Sequence, residues 1–226
     1  MNTNAQSLIN KMTDMQVRVE ALKPKIISVT ETWGKEWIKD GILKLDGYTM
    51  YRNDRKGKRG GGSILYIDNK LEHRVCRPLN ALPFESSSWC WISEEGGKKI
   101  LVGSIYRSTS STANNDRLLL EIIEKANEVA GDNRVLIMGD FNVPKIDWEK
   151  RETLPGRDII EVQMLDTIND CFLYQHVRES TRLRNDQEST LDLIFTKEEE
   201  DVKNIDVMPP IGGSDHGVVA GDFVCE

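Results

Sequence analysis

Apolar residues recur three or four positions apart near the start of the chain, at Leu8, Met12, Met15, Val19 and Leu22, behind a polar lead-in. That period predicts one amphipathic helix from about Gln6 to Leu22, stopped by Pro24. The period then shortens. Ile26–Thr30 reads as a buried strand with Glu31 at its C-terminal end, and β-like runs follow at Tyr48–Tyr51, Ser63–Ile67, Glu72–Val75, Trp89–Ile92 and Ile100–Tyr106. Asp68-Asn69, Glu95-Gly96-Gly97 and the triple glycine Gly60-Gly61-Gly62 mark turns between them. Helical spacing returns at Leu119, Ile122, Ile123, Ala126 and Val129, introduced by Asn114-Asn115-Asp116 and closed by Gly131. Arg134–Met138 is a strand that ends at Gly139-Asp140. A third helix is predicted from about Arg157 to Asp170, and strands near Leu191–Phe195, Ile205–Val207 and Gly217–Val224 complete the pattern. Two β-rich halves, each with a helix and with no linker or repeat between them, predict one domain over residues 1–226, built as two packed sheets flanked by helices.

Composition adds little to this and removes several alternatives. The 226 residues are 38% apolar and 30% charged, as in ordinary globular proteins, and no apolar run approaches the roughly 20 residues of a membrane span. The N-terminus lacks a secretory pattern, and Cys76, Cys90, Cys171 and Cys225 follow no paired spacing, so a reducing, intracellular setting is expected. With 30 Lys+Arg against 37 Asp+Glu the net charge is −7, which by itself argues against a nucleic-acid partner.

Several polar residues break the surface pattern by standing at the ends of apolar strands. Gly139-Asp140-Phe141-Asn142 is the clearest; alone it reads equally as a turn with Asp140 capping a helix. Glu31, Tyr106 and Asp140 each end a strand, Asp192 lies just inside one, and Ser214-Asp215-His216 precedes the last. Strand ends of layered α/β folds converge on one rim, where ligands bind. Of the three histidines, His73 reads as a surface residue between Glu72 and Arg74, and His176 as the end of a helix favoured by its dipole. His216 differs, with a carboxylate beside it and the lead-in Ile211-Gly212-Gly213-Ser214. Carboxylates and amides with one histidine and no thiolate pair suit Mg²⁺ or Mn²⁺ rather than structural zinc, and hard-oxygen sites of this kind handle phosphates. Phosphodiester hydrolysis fits the set.

Six motifs occur in order: Asn4 within Thr3-Asn4-Ala5-Gln6-Ser7-Leu8, Glu31 in Thr30-Glu31-Thr32-Trp33, Tyr106-Arg107, Gly139-Asp140-Phe141-Asn142, Leu191-Asp192-Leu193-Ile194 and Ser214-Asp215-His216. By them the chain resembles the endonuclease/exonuclease/phosphatase superfamily. The wording around them is most similar to the endonuclease domain of non-LTR retrotransposons. The resemblance implies a four-layer αββα sandwich of two mixed sheets and Mg²⁺-dependent phosphoester cleavage, with Mn²⁺ as a substitute. It implies Glu31 as principal metal ligand, Asn4 close to it and Asp215 contributing directly or through water. Asp140 would activate water, Asn142 would hold it or the phosphate, His216 would contact the scissile phosphate with its ring fixed by Asp192, and Tyr106 would lie against the phosphate. By the same resemblance a monomeric domain would nick duplex DNA in the nucleus, leaving a 3′-hydroxyl for a reverse transcriptase of the same polyprotein, with no membrane involved. An abasic-site endonuclease, an RNA deadenylase, a lipid phosphodiesterase and an inactive interaction module are the alternatives. Only Met1-Asn2-Thr3 precede Asn4, so the first strand is expected to be cut short, and Gln6 stands where DNA-repair relatives carry an aspartate.

Candidate DNA contacts follow from charge. Arg52, Arg55, Lys56, Lys58 and Arg59 form a basic run that in isolation reads as a solvated loop, and that the nuclease resemblance turns into a phosphate contact. Arg107 is a candidate phosphate clamp. The segment from Arg178 to Asp186, with Arg182 and Arg184, is expected to form a hairpin that probes a groove. Glu198-Glu199-Glu200-Asp201 reads as a solvated connector.

Overall fold

A computed structural model describes residues 1–57 and 59–224, so Lys58 and Cys225 lie outside the described residues. The strands in chain order are β1 (Asn2–Asn4), β2 (Ile26–Thr30), β3 (Tyr48–Asn53), β4 (Ser63–Asp68), β5 (His73–Val75), β6 (Ser87–Ser93), β7 (Lys99–Tyr106) and β8 (Arg134–Asp140). They continue as β9 (Ile146–Asp147), β10 (Glu152–Thr153), β11 (Tyr174–Gln175), β12 (Arg182–Arg184), β13 (Gln187–Ser189), β14 (Asp192–Thr196), β15 (Val202–Met208) and β16 (Val218–Phe223). Helices are α1 (Met12–Leu22), α2 (Asp40–Leu43), α3 (Arg77–Asn80), α4 (Ala113–Ala130) and α5 (Ile159–Asp170). One mixed sheet has the order β15-β16-β1-β2-β4-β3 and the other β11-β14-β8-β7-β6-β5.

Burial explains the layering. In β4, Ile64 and Tyr66 pack with Met15 and Val19 of α1, while Leu65 and Ile67 pack with Cys90, Val102 and Leu136 of the other sheet. Successive side chains of a strand face opposite ways, so a strand buried on both faces needs this unbroken apolar run. The outer face of the second sheet is covered by α4 and α5 through Leu119, Ile122, Ile123, Met164 and Ile168. The order is therefore helix, sheet, sheet, helix. β1 is three residues long, yet it lies inside its sheet, parallel to β2 and antiparallel to β16.

The element ends show where side chains override periodicity. The first helix begins later than Gln6, because Gln6 and Ser7 take φ of 42° and 79°, and Asn4 Oδ1 accepts the Gln6 N–H at 3.0 Å. A 3₁₀ turn at Ile9–Lys11 then leads into α1. Thr112 caps α4, its hydroxyl accepting the Asn115 N–H, and Gly131 closes it. His176 follows the short strand β11 rather than a helix, since α5 stops at Asp170; its Nε2 lies 2.6 Å from Thr196 Oγ1. His73 is half-buried rather than a free surface group, with Nδ1 2.6 Å from the Tyr51 hydroxyl. Asp201 departs from the solvated connector: it is buried and pairs with Arg134 at 2.5 Å. Among the described residues no helix is long and apolar enough to cross a membrane.

Candidate active site

The site forms where strand ends of both sheets meet. Asp140, the last residue of β8, stands in register with Asp192 at the start of β14 and with Tyr106 at the end of β7. Gly139 permits this approach: a Cβ there would lie 1.8 Å from the Ile105 carbonyl oxygen, so no larger residue fits. From the other sheet, Asn4 and Thr30 are register partners at the ends of β1 and β2, and Glu31 follows with φ of 48°. Asn4 Nδ2 donates to Asp140 Oδ2 at 2.7 Å and ties the two sheets at this rim. Ser214 Oγ donates to the Asn4 carbonyl at 2.8 Å and accepts the His216 N–H, which carries the segment before β16 to the same place.

His216 is 2% exposed, and Asp140 and Asp192 are fully buried. His216 Nδ1 lies 2.6 Å from Asp192 Oδ2, while Nε2 lies 4.0 Å from Asp140 Oδ2 and 3.6 Å from Asp215 Oδ1. Burial alone pulls the imidazole pKa down, but the hydrogen bond and charge of Asp192, with Asp140 and Asp215 beyond, raise it to about 9. The ring is therefore a cation at neutral pH, held by Asp192 and presenting Nε2–H between Asp215 and Asp140. Asp140 is pushed upward by burial first and by the Asp192 charge second, against the pull of His216 and the Asn4 hydrogen bond. Asp192 Oδ1 is buried with no hydrogen-bond partner.

Glu31 sits on the other side of Asn4. Its Oε1 accepts from the Tyr106 hydroxyl at 2.5 Å and its Oε2 from Trp33 Nε1 at 2.9 Å. Burial, then the Glu31 charge, raises the Tyr106 phenol well above its ordinary range, so it stays a donor. Both partners are neutral, and Glu31 makes no ion pair among the described residues. A carboxylate held by two neutral donors just past β2, beside β1, with its charge felt by Asp140 and Lys11, fits a hard divalent ion. Asp140, Asp192 and His216 also offer ligand atoms within 4.8 Å of one another, although the His216 Nδ1 is already engaged by Asp192. Asp215 is more occupied: Oδ1 accepts from Gln6 Nε2 at 2.6 Å and Oδ2 from Arg182 Nη2 at 3.0 Å. Asn142 takes φ of 48°, gives its N–H to Asp140 Oδ1 at 3.1 Å and its side-chain N–H to the Arg107 carbonyl at 2.7 Å. A cavity of about 850 Å³ is lined at another part of the sandwich by Pro24, Ile92, Leu136 and Phe223, and none of the site side chains lines it.

The arginines divide. Arg52 binds Asp54 and Asp40, Arg55 binds Glu85 at 2.9 Å, and Arg107 binds Asp116 at 2.7 Å, each with a nearly buried guanidinium. Arg52 and Arg107 spend their remaining donors on the Lys35, Ile38 and Asn142 carbonyls, whereas Arg55 engages Glu85 through Nε alone. Lys56 and Arg59 are exposed, Arg59 lying 5.4 Å over the Trp33 ring. The expected hairpin is β12–β13, turning at Asn185 and Asp186 with φ of 50° and 59°; it leaves Arg184 exposed and bridges Arg182 to His216. Sequence reasoning marked Gln6 only as a departure from DNA-repair relatives and missed Lys11 and Trp33 as parts of the site. Lys11 Nζ donates to the Ala5 and Gln6 carbonyls, and no periodicity marks such a contact, because it crosses a left-handed turn.

A two-sheet sandwich with acid, amide and histidine side chains converging on one rim defines the endonuclease/exonuclease/phosphatase class. The model of the family described as endonuclease-reverse transcriptase matches residues 100–220, over half of the chain, and the chain belongs to this endonuclease family. Comparison with curated proteins gives no match. Among solved structures, the endonuclease domain of TRAS1, a telomere-specific non-LTR retrotransposon, is similar with a TM-score of 0.77 at 16% identity, over 98% of this chain and 96% of that one. The AP endonuclease LMAP from Leishmania major has a TM-score of 0.78 at 16% identity, covering 96% of this chain and 85% of its own. A 3′ phosphatase from Neisseria, bound to a product DNA hairpin, has a TM-score of 0.70 at 15% identity, covering 99% and 98%. At these identities the likeness is one of fold.

Proposed function

We propose that the chain is a Mg²⁺-dependent endonuclease that nicks duplex DNA, and that it serves a non-LTR retrotransposon by leaving a 3′-hydroxyl for a reverse transcriptase. The observation that carries the reading is the Asp140–His216–Asp192 arrangement: a buried carboxylate and a charged imidazole facing each other at 4.0 Å, the imidazole fixed from behind at 2.6 Å. Asp140 orients water and takes its proton, a task suited to a carboxyl whose pKa burial has raised. His216 donates Nε2–H to a non-bridging oxygen of the scissile phosphate, and Asp192 keeps the ring charged and oriented. Asn142 and Asn4 hold the Asp140 oxygens in place. Glu31, with Asn4 beside it, would hold a divalent ion that neutralises phosphate charge and stabilises the departing oxygen.

Duplex DNA reaches this rim past the exposed cations Lys56, Arg59 and Arg184, and the β12–β13 hairpin biases the nicking position. Conversion of supercoiled plasmid to nicked circles in Mg²⁺, with abasic DNA, poly(A) and phospholipid as competing substrates, tests the reading. Nicking of intact duplex supports it, and activity confined to any of the other three overturns it.

A further inference from the structure

Trp37 is 79% exposed, an unusual position for the largest apolar side chain. The loop that carries it is not loose. Ile38 N–H donates to the Lys35 carbonyl at 2.8 Å, closing a turn with Trp37 inside it. One guanidinium then grips both ends of that turn: Arg52 Nη2 donates to the Lys35 carbonyl at 2.7 Å and Nη1 to the Ile38 carbonyl at 2.8 Å. Arg52 is itself fixed by Asp54 and Asp40. The backbone turn that carries the exposed indole is thus fixed by a largely buried guanidinium.

The same loop begins at the candidate site. Trp33 gives its indole N–H to Glu31 Oε2, and its backbone N–H donates to the Gly61 carbonyl, which joins this loop to the basic one. Trp37 stands six positions after Glu31, a backbone span of about 20 Å at most, or roughly six base-pair steps at ~3.4 Å each. Lys39 is exposed two residues on, and the basic loop joined at Trp33 adds exposed Lys56 and Arg59, with Glu36 and Asp40 as the opposing charges. An exposed, rigidly displayed aromatic among cations is the arrangement that stacks nucleobases while the cations meet phosphates.

We propose that Trp37 is a nucleobase-stacking residue, which contacts a base of the DNA within about six nucleotides of the scissile phosphate. The proposal rests on the DNA-nicking reading and adds a contact to a base, which an electrostatic rim does not make. A stacked base is worth a loss on the order of 5- to 150-fold in affinity when the aromatic is removed.

The test is fluorescence anisotropy of a labelled duplex in Mg²⁺, using the Asp140→Asn chain so that the duplex stays intact. Trp37→Ala is expected to raise Kd on the order of 5- to 150-fold and Trp37→Phe to recover most of the loss, with the melting temperature of both variants unchanged. A tetrahydrofuran residue scanned through the duplex supplies the second arm: at one position within six nucleotides of the nick it should weaken the Trp37 chain and leave Trp37→Ala unaffected. Equal affinity of Trp37 and Trp37→Ala chains, or a loss that no scanned position removes, overturns the proposal and points to a protein partner for this loop. A chain that nicks duplex yet shows equal affinities refutes stacking alone. One that neither binds nor nicks any duplex refutes the nuclease reading together with it.

Discussion

His216 and Asp192 share a 2.6 Å contact between Nδ1 and Oδ2 in surroundings that expose 2% of one residue and none of the other. The pair keeps the ring charged against the burial that would discharge it. Asp192→Asn retains the shape and removes the charge. It is expected to lower nicking on the order of 10- to 100-fold and to move the alkaline limb of the pH–rate profile to lower pH, because the charge that raises the ring pKa is gone. An unchanged profile would remove Asp192 from its assigned role.

The same pair makes metal-free stability depend on pH. The His216 pKa rises from 6.5 to about 9 on folding, so between those values the folded state holds more protons than the unfolded one. Stability from this group is therefore fully present below about 6.5 and is lost as pH climbs through about 9. The upward shift of Asp140 acts with the same sign at lower pH. The buried Met1 amino group, lowered to about 6, acts with the opposite sign over the same range, so the His216 share is read against Asp192→Asn: in urea with EDTA the wild-type midpoint should fall more between pH 6.5 and 9 than that of the variant, and an equal fall would contradict the charge state assigned to the ring.

Arg107→Ala is expected to destabilise the fold by about 1–3 kcal/mol, because half-buried Asp116 would lose its cation and the Asn142 carbonyl its donor. Arg59→Ala should leave the melting temperature almost unchanged and reduce the salt slope of DNA binding by about one. Both are read from melting curves and from affinity at a series of salt concentrations. A reversal, with Arg107 governing the salt slope, would put its guanidinium on phosphate.

Gly139→Ala is expected to cost about 3 kcal/mol in urea unfolding, since its Cβ would fall inside the Ile105 carbonyl oxygen at 1.8 Å. A neutral substitution would mean that β7 and β8 can separate there without loss.

The strand ends were legible in the sequence because a carboxylate or amide following an apolar run conflicts with both a core and a surface reading. Glu31, Asp140 and Asp192 stand out in that way, and the structure brings them to one rim. Partnership was not legible. Arg52, Arg55 and Arg107 look like free cations in a list of residues; Asp54 stands two positions from Arg52, but the partners Asp40, Glu85 and Asp116 lie 9 to 30 positions away, joined only by the fold. The start of α1 failed for a local reason. Apolar spacing runs on through Leu8, but Asn4 captures the Gln6 N–H and turns the backbone left-handed before a helix can form. His176 was misplaced because Phe172, with φ of 54°, ends the helical run two residues before β11 begins.

The most direct measurement is plasmid nicking by the wild-type chain and by Glu31→Gln, Asp140→Asn and His216→Ala, each checked for an unchanged fold by circular dichroism. The wild type should nick in Mg²⁺ and stop in EDTA, and each variant should lose at least about 100-fold. Wild-type activity that survives EDTA, or a folded variant that nicks at the wild-type rate, would contradict the assignment of this rim as the catalytic site.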